Sequence, residues 1–327
     1  MKLGLLGYGF MGGVHLAALQ RIEGVTVPAV ASRMRPSADG PSRGNMNLPS
    51  GPLPDSVRWS SDWRQVVRDP TIDAVDICLP TNLHKEIVIE ALNSGKHVLC
   101  EKPMALSASD CDDILAAAAK SSNVFMVGQV LRFMSPYRYA ASFLREVGRD
   151  AVTGCTLQRS TGYPDWGGWL AKEECSGGAI LDLLSHDLEQ ALSLFGPPAS
   201  VSATSRGPVD TMNAVLRYED GLVVNVDGGW YSSDTPFNAS FCLEAGEASL
   251  TFHDGKLVRH ANGREDEAIA LPEEDPYYRE IAYFVDCCRC GVSPELCPPA
   301  ESARTVYLAN LLRESREQSG KELSWQA

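Results

Sequence analysis

Lys2-Leu3-Gly4-Leu5-Leu6-Gly7-Tyr8-Gly9-Phe10-Met11-Gly12-Gly13-Val14-His15-Leu16-Ala17-Ala18-Leu19-Gln20 opens the chain with a short apolar run, a glycine-rich turn and a helical pattern. Lys2 to Leu6 reads as a strand and Met11 to Gln20 as a helix. Between them, Gly7-x-Gly9-x-x-Gly12 has the spacing of a dinucleotide-binding turn. Gly7 permits the tight turn, Gly9 lets a pyrophosphate approach the main chain, and Gly12 lets helix and strand pack closely. The helix N-terminus then offers amide donors and positive dipole charge to phosphates. Such glycines alone are weak evidence, but a strand before, a helix after and a second strand beyond favour the dinucleotide reading. Gly7, Tyr8, Gly9, Phe10 and Met11 are the first cofactor candidates.

Val25 to Ala31 is that second strand, although Pro28 is awkward for a central position. Its end should meet the adenosine ribose, where an acid accepts from a 2′-hydroxyl and repels a 2′-phosphate. The chain has Ser32 and Arg33 there, with Arg35 nearby. A guanidinium pairs with phosphate and stacks on adenine, so the expected coenzyme is NADP, with NAD left open. From Arg35 to Ser56 run five prolines and three glycines with little apolar periodicity. This reads as a loop and a candidate cover for the adenosine end.

The alternation continues with Ala74 to Leu79 (strand), His84 to Asn93 (helix), His97 to Cys100 (strand), Ser107 to Ser121 (helix, N-cap Ser107) and Val124 to Val127 (strand). Short strands alternating with helices predict a parallel, doubly wound sheet. Ligands bind such sheets at the carboxyl ends of strands. Leu79, Pro80, Thr81, Asn82 and His84 follow one strand end and Glu101 and Lys102, before Pro103, another, so these seven join the cofactor candidates. Glu101-Lys102 taken alone also fits a surface pair; Pro103 points to a fixed turn, a cis bond among the options.

After about Arg132 the pattern changes. A helix from Pro136 to Val147 leads into strand-like runs at Val152–Ser160, Val201–Ser205, Met212–Tyr218, Leu222–Trp230, Phe237–Leu243 and Ala248–His253. Asp220-Gly221 and Asp254-Gly255 are tight-turn dipeptides between runs. Helices are expected over Gly178–Phe195, Tyr277–Cys290 and Ala300–Gln318. The fold expected is an α/β Rossmann domain over 1–127, then an α+β domain over 128–327 with a large, mostly antiparallel open sheet. On the helix Gly178–Phe195, Asp182 and His186 stand four apart and share a face. A carboxylate beside an imidazole suits a general base, although such a pair taken alone is more often a plain surface contact.

The 327 residues carry a net charge of −13, which repels polyanions and argues against nucleic-acid binding. No stretch approaches the roughly 20 apolar residues of a membrane span. Lys2 and the apolar stretch to Leu19 can pass for a secretory signal, but the glycines have the better explanation above. The ten cysteines read as reduced thiols of a cytoplasmic protein. Cys287, Cys288, Cys290 and Cys297 lack paired C-x-x-C spacing, so no metal is expected.

Together these features resemble the glucose–fructose oxidoreductase, inositol dehydrogenase and rhizopine-catabolism (Gfo/Idh/MocA) family over essentially the whole chain. The resemblance rests on the glycine fingerprint, Pro80 to His84, Glu101-Lys102-Pro103, Arg132-Phe133, the Gly177-Gly178…Asp182…His186 segment and Tyr277-x-x-Glu280-x-x-x-Phe284. It implies an enzyme moving hydride between nicotinamide and a carbinol carbon of a sugar or cyclic polyol, with Lys102, Asp182 and His186 catalytic. His186 is then the acid/base, Asp182 its orienter and Lys102 the electrophile, with the proton split between Lys102 and His186 open. Implied substrate contacts add Arg132, Tyr163, Trp166 and Tyr277, and the open sheet implies a homodimer or homotetramer. Trp166 and Trp169 can wall a sugar pocket or fill a domain interface; Arg132, Arg159 and Lys172 can hold a substrate anion. Leu184 and Glu189 depart from the usual Gly and Asp, and the Pro-rich loop replaces a helix. A coenzyme-retaining glycosidase and a non-enzymatic nucleotide sensor are the alternatives; the trio argues against the sensor.

Overall fold

The first strand, β1 (Lys2–Leu6), is buried at four of its five positions, as a strand must be when both sheet faces are covered. In the computed structural model, which describes residues 1–35, 48, 50, 53–164, 168–205 and 210–326, it is followed by α1 (Phe10–Leu19), β2 (Thr26–Ala31) and β3 (Arg58–Ser60). Next come α2 (Arg64–Val67), β4 (Ala74–Ile77), α3 (His84–Asn93), β5 (His97–Glu101), α4 (Ala108–Lys120) and β6 (Phe125–Gly128). The six strands form one parallel sheet in the order β3-β2-β1-β4-β5-β6. Strand order therefore reverses between β1 and β4. The doubly wound expectation is met, and Ser107 caps α4 by accepting from the Asp110 amide.

The remainder runs α5 (Ser135–Val147), β7 (Val152–Gly162), α6 (Glu173–Ser176), α7 (Gly178–Asp182), α8 (Ser185–Phe195), β8 (Ser200–Thr204), β9 (Thr211–Arg217) and β10 (Val223–Tyr231). Then follow β11 (Asn238–Ala245), β12 (Ala248–His253), β13 (Lys256–Ala261), β14 (Glu267–Ile269), α9 (Pro276–Cys290), α10 (Pro299–Glu317) and β15 (Leu323–Ser324). Nine strands make a second sheet, β14-β13-β12-β11-β7-β10-β9-β8-β15, antiparallel except where β10 runs parallel to β7. Asp254 and Gly255 both take positive φ, the geometry of the two-residue hairpin turn predicted there.

Two compact units result: Met1–Val130 with Asp275–Ala303, and Leu131–Glu274 with Arg304–Ala327. This differs from one cut after residue 127, because α9 lays its buried Glu280, Ile281, Phe284 and Val285 into the first unit. Pro28 is accommodated by an irregularity. Lys2 pairs with Thr26 but Gly4 with Ala29, so β2 carries one extra residue there, and β3 pairs with β2 only from Ala29 onward.

The helix expected over Gly178–Phe195 is instead two. The Leu183 and Leu184 amides share the Ala179 carbonyl, at 2.9 Å each, and the second bond spans five residues. That widened turn buries both adjacent leucines and ends α7 at Asp182. Among the described residues no helix is long and apolar enough to cross a membrane.

The parallel β7–β10 pair depends on Gly228, whose φ is +143° and whose added Cβ would fall 1.8 Å from the Arg159 carbonyl oxygen. Gly228→Ala is expected to cost about 3 kcal/mol, read by chemical denaturation. Gly148→Ala is strained by φ +82° alone, with nothing among the described residues within 4 Å of the added carbon, and should cost less than Gly228→Ala.

Candidate active site

The carboxyl edge of the first sheet gathers three sequence features at neighbouring strands. After β1, Gly7 takes φ +101°, and a Cβ there would lie 2.2 Å from the Cys78 carbonyl oxygen that follows β4. A Cβ on Gly12 would lie 2.1 Å from the Gly7 carbonyl oxygen. Gly9 has φ −87°, a value open to any residue, so its missing side chain serves space rather than conformation. No side chain caps α1 and no acid stands in its first turn, which leaves its leading amides for a phosphate. This cradle, which side chains would fill, fits a dinucleotide at the β1/β4 switch point.

Arg33 is exposed beyond β2. Ser32 is used within the turn: its hydroxyl donates to the Met34 carbonyl at 2.7 Å and accepts from the Trp59 indole at 3.1 Å. His84 is also spent locally, with Nδ1 2.9 Å from the Pro103 carbonyl and Nε2 2.8 Å from that of Leu79. It ties the Leu79 turn to the cis Lys102–Pro103 turn and so positions the edge from within. Burial lowers its pKa below the ordinary imidazole value, against the pull of those carbonyls.

Behind this edge lies a set of buried polar groups. His15 on α1 places Nδ1 2.9 Å from Asp76 of β4 and Nε2 3.0 Å from Glu101 of β5. Glu101 also accepts from the Lys102 main-chain N–H at 3.0 Å. Burial works to lower the His15 pKa, but the charge on Asp76, then Cys78 and hydrogen bonds to both, hold it well above its ordinary value. Burial works to raise Glu101, while His15 and the charge of Lys102 hold it below the ordinary carboxyl value. Glu280 of α9 is 1% exposed and neither carboxyl oxygen has a hydrogen-bond partner. Burial first, and then the charge on Glu101, push it well above the carboxylate range. His15, Asp76 and Cys78 bring donor atoms within 4.8 Å of one another. Their separations are those of hydrogen bonds, and burial pushes the thiol up, so we read a hydrogen-bonded set rather than metal ligands.

In the second unit, Asp182 is the last residue of α7 and His186 the second of α8, both half-buried. Their neighbourhood is pinned by ion pairs. Asp187 receives Arg159 Nε at 2.7 Å and Nη2 at 3.2 Å, and the same guanidinium donates to Tyr137 at 2.9 Å. Arg132 pairs with buried Glu189. Asp210 accepts from the Ala179 amide at 2.6 Å, fixing the start of α7, and from Arg316 at 2.7 Å. Tyr163 packs edge-on against Trp230 at 5.8 Å, beside Ala179 and Leu183.

A family model for the GFO/IDH/MocA oxidoreductase family, NAD-binding Rossmann fold, matches residues 1–129, and one for the GFO/IDH/MocA C-terminal domain matches 146–251. The chain belongs to the GFO/IDH/MocA oxidoreductase family. The uncharacterized oxidoreductase YrbE of Bacillus subtilis is 27% identical, over 68% of this chain and 65% of that protein, just under two thirds of its length. The myo-inositol 2-dehydrogenase of Thermotoga maritima is 26% identical over 98% of this chain and 97% of its own. A levoglucosan dehydrogenase in complex with NADH and levoglucosan shares the fold, with a TM-score of 0.81 at 19% identity over 100% of this chain and 99% of that one.

For this GFO/IDH/MocA oxidoreductase, the first unit brings together Gly7 to Met11, Leu79 to Asn82, His84, Glu101 and Lys102. Tyr277 stands in that unit too, its ring 6.3 Å from His15. Asp182 and His186 lie on either side of a helix break rather than on one helix face. Arg132 and Arg159, candidates for a substrate anion, are already paired with carboxylates; Lys172 is exposed. Trp166 and most of the Pro-rich loop lie outside the described residues. Among the described residues Cys287, Cys288, Cys290 and Cys297 do not converge as ligands. Missed from sequence were His15, Asp76 and Glu280; the available signals were a charge inside the strand Ala74–Ile77 and the glutamate of the Tyr277 pattern.

Arg159→Met leaves Asp187 buried and unpaired, and is expected to cost about 3–5 kcal/mol. The double variant Arg159→Met/Asp187→Leu should recover most of that in thermal unfolding. Unchanged stability with a raised KM would instead restore Arg159 as a substrate contact.

Proposed function

We propose that this chain is an NADP(H)-dependent oxidoreductase interconverting a carbinol and a carbonyl on a sugar, sugar derivative or cyclic polyol. The observation that carries the reading is that the glycine cradle, the Leu79 turn and Lys102 share the carboxyl edge of adjacent parallel strands β1, β4 and β5. The substrate class draws on the relatives, named for inositol and levoglucosan. The choice of NADP draws on exposed Arg33 and the absence of an acid at Ser32-Arg33 beyond β2.

When bound, the nicotinamide supplies the hydride acceptor or donor. Lys102 places a cationic donor at the reacting oxygen, His186 takes or returns its proton, and Asp182 orients that imidazole. Ammonium and imidazole divide the work because the oxygen must be polarised and deprotonated in the same step. The chain works in the cytoplasm as a homodimer or homotetramer; a monomeric mass by light scattering would refute the latter.

Lys102→Ala and His186→Ala are each expected to lower turnover by roughly 10²-fold or more while NADPH still binds; near-wild-type rates in both would remove the assignment. Arg33→Asp is expected to weaken NADPH binding about tenfold or more, on the order of 1.4 kcal/mol, and to spare NADH. Equal loss for both coenzymes would argue against a 2′-phosphate contact. Fluorescence titration with the two coenzymes, then a sugar and polyol screen, tests the reading as a whole.

A further inference from the structure

We propose that Asp76, His15, Glu101 and Glu280 together form a positioning device for Lys102, in which Glu280 is a buried acid that keeps its proton. The inference rests on the oxidoreductase reading, since it concerns how Lys102 is held for that reaction.

Glu101 Oε2 accepts from the Lys102 main-chain N–H at 3.0 Å, and Oε1 stands at ion-pair distance, 3.0 Å, from His15 Nε2 without hydrogen-bond geometry. The other ring nitrogen of His15 faces Asp76 at 2.9 Å. A buried imidazole with a carboxylate at each nitrogen offsets their charge by carrying both protons. Glu280 completes the set. The β5–β6 register pairs Glu101 with Gly128, and a Cβ on Gly128 would lie 3.5 and 3.7 Å from the two Glu280 oxygens. The Glu280 carboxyl thus packs beside Gly128, at the strand position next to Glu101, with no hydrogen bond to either oxygen.

Acting on Glu280 are Glu101 of β5, His15 of α1 and Asp76 of β4; Lys102 acts in turn on Glu101, Cys78 and Cys100 lie near Glu101 and Asp76, and Tyr277 of Glu280's own helix lies beside His15. His15 and Lys102 are the basic ones. Three ionised carboxylates would exceed them, and protonation of the one carboxyl without a donor relieves the excess. Kept neutral, Glu280 fills space without repelling Glu101. Ionised, it would push Glu101 off the Lys102 amide and displace the lysine.

The sign of the pH effect follows. A carboxyl whose folded pKa is raised contributes stability that is fully present below its unfolded value, about 4.3, and lost as pH rises toward the folded one. Glu280→Gln removes that loss. Thermal unfolding of the full chain without coenzyme, from about pH 5 to about pH 8, should show the Gln variant gaining on wild type by at least about 2 °C. A constant difference would overturn the proposal. In ¹⁵N NMR of the wild type at the upper pH, both His15 nitrogens should be protonated; a neutral ring would overturn it as well. In turnover, Glu280→Ala should lower kcat roughly tenfold or more with the KM for NADPH little changed, and Glu280→Gln should restore most of the rate. An Ala variant matching wild type, or a Gln variant as poor as Ala, contradicts the positioning role. The unfolding and NMR arms need no substrate, so their failure belongs to this inference, whereas a wild type that turns over no sugar or polyol marks failure of the proposed reaction.

Discussion

Where β1 ends, the main chain of Gly7 presses against the carbonyl of Cys78 so closely that a single added carbon would sit at 2.2 Å. That contact lies at the reversal of strand order, between β1 and β4, and much of the first unit answers to it. Gly12 must in turn be bare for α1 to start where it does. Because α1 starts there, its uncapped amides point out at the sheet edge. The neighbouring strand ends then deliver Leu79 and Lys102 to the same edge. Fold and binding surface are fixed by one steric constraint rather than by separate adaptations.

The second constraint is electrostatic. Burying charge is costly unless it is paired, and both units do so next to the residues assigned to chemistry. In the first unit His15 sits between Asp76 and Glu101, and Glu101 holds the amide of Lys102. In the second, Arg159 and Arg132 hold Asp187 and Glu189, the residues one and three beyond His186. Each side chain proposed as reactive thus projects from main chain fixed by buried ion pairs, which suits a group that must be held still while a proton moves.

How much of this was legible in the sequence varies with the range of the interaction. The glycine turn, the strand–helix alternation and the Ser107 cap are local and were read directly. β3, β14 and β15 are two or three residues long, and their place is set by strand partners rather than by their own pattern. The break between α7 and α8 was hidden because apolar spacing from Gly178 to Phe195 fits one helix; two adjacent buried leucines are its trace. Pro28 looked misplaced until the register gave it an extra residue to occupy. Arg159 and Arg132 looked like anion holders because their partners, Asp187 and Glu189, lie on another element. His15 carries no signal of its own in the sequence for the same reason: its meaning comes from Asp76 and Glu101, which only the sheet brings beside it.

Whether the β1/β4 edge holds a nicotinamide dinucleotide is decided by a crystal structure of the protein soaked with NADPH. The pyrophosphate is expected against the amides of Gly9 to Met11, with the 2′-phosphate at Arg33. Density for the coenzyme elsewhere on the protein, or its absence at saturating concentration, would contradict it.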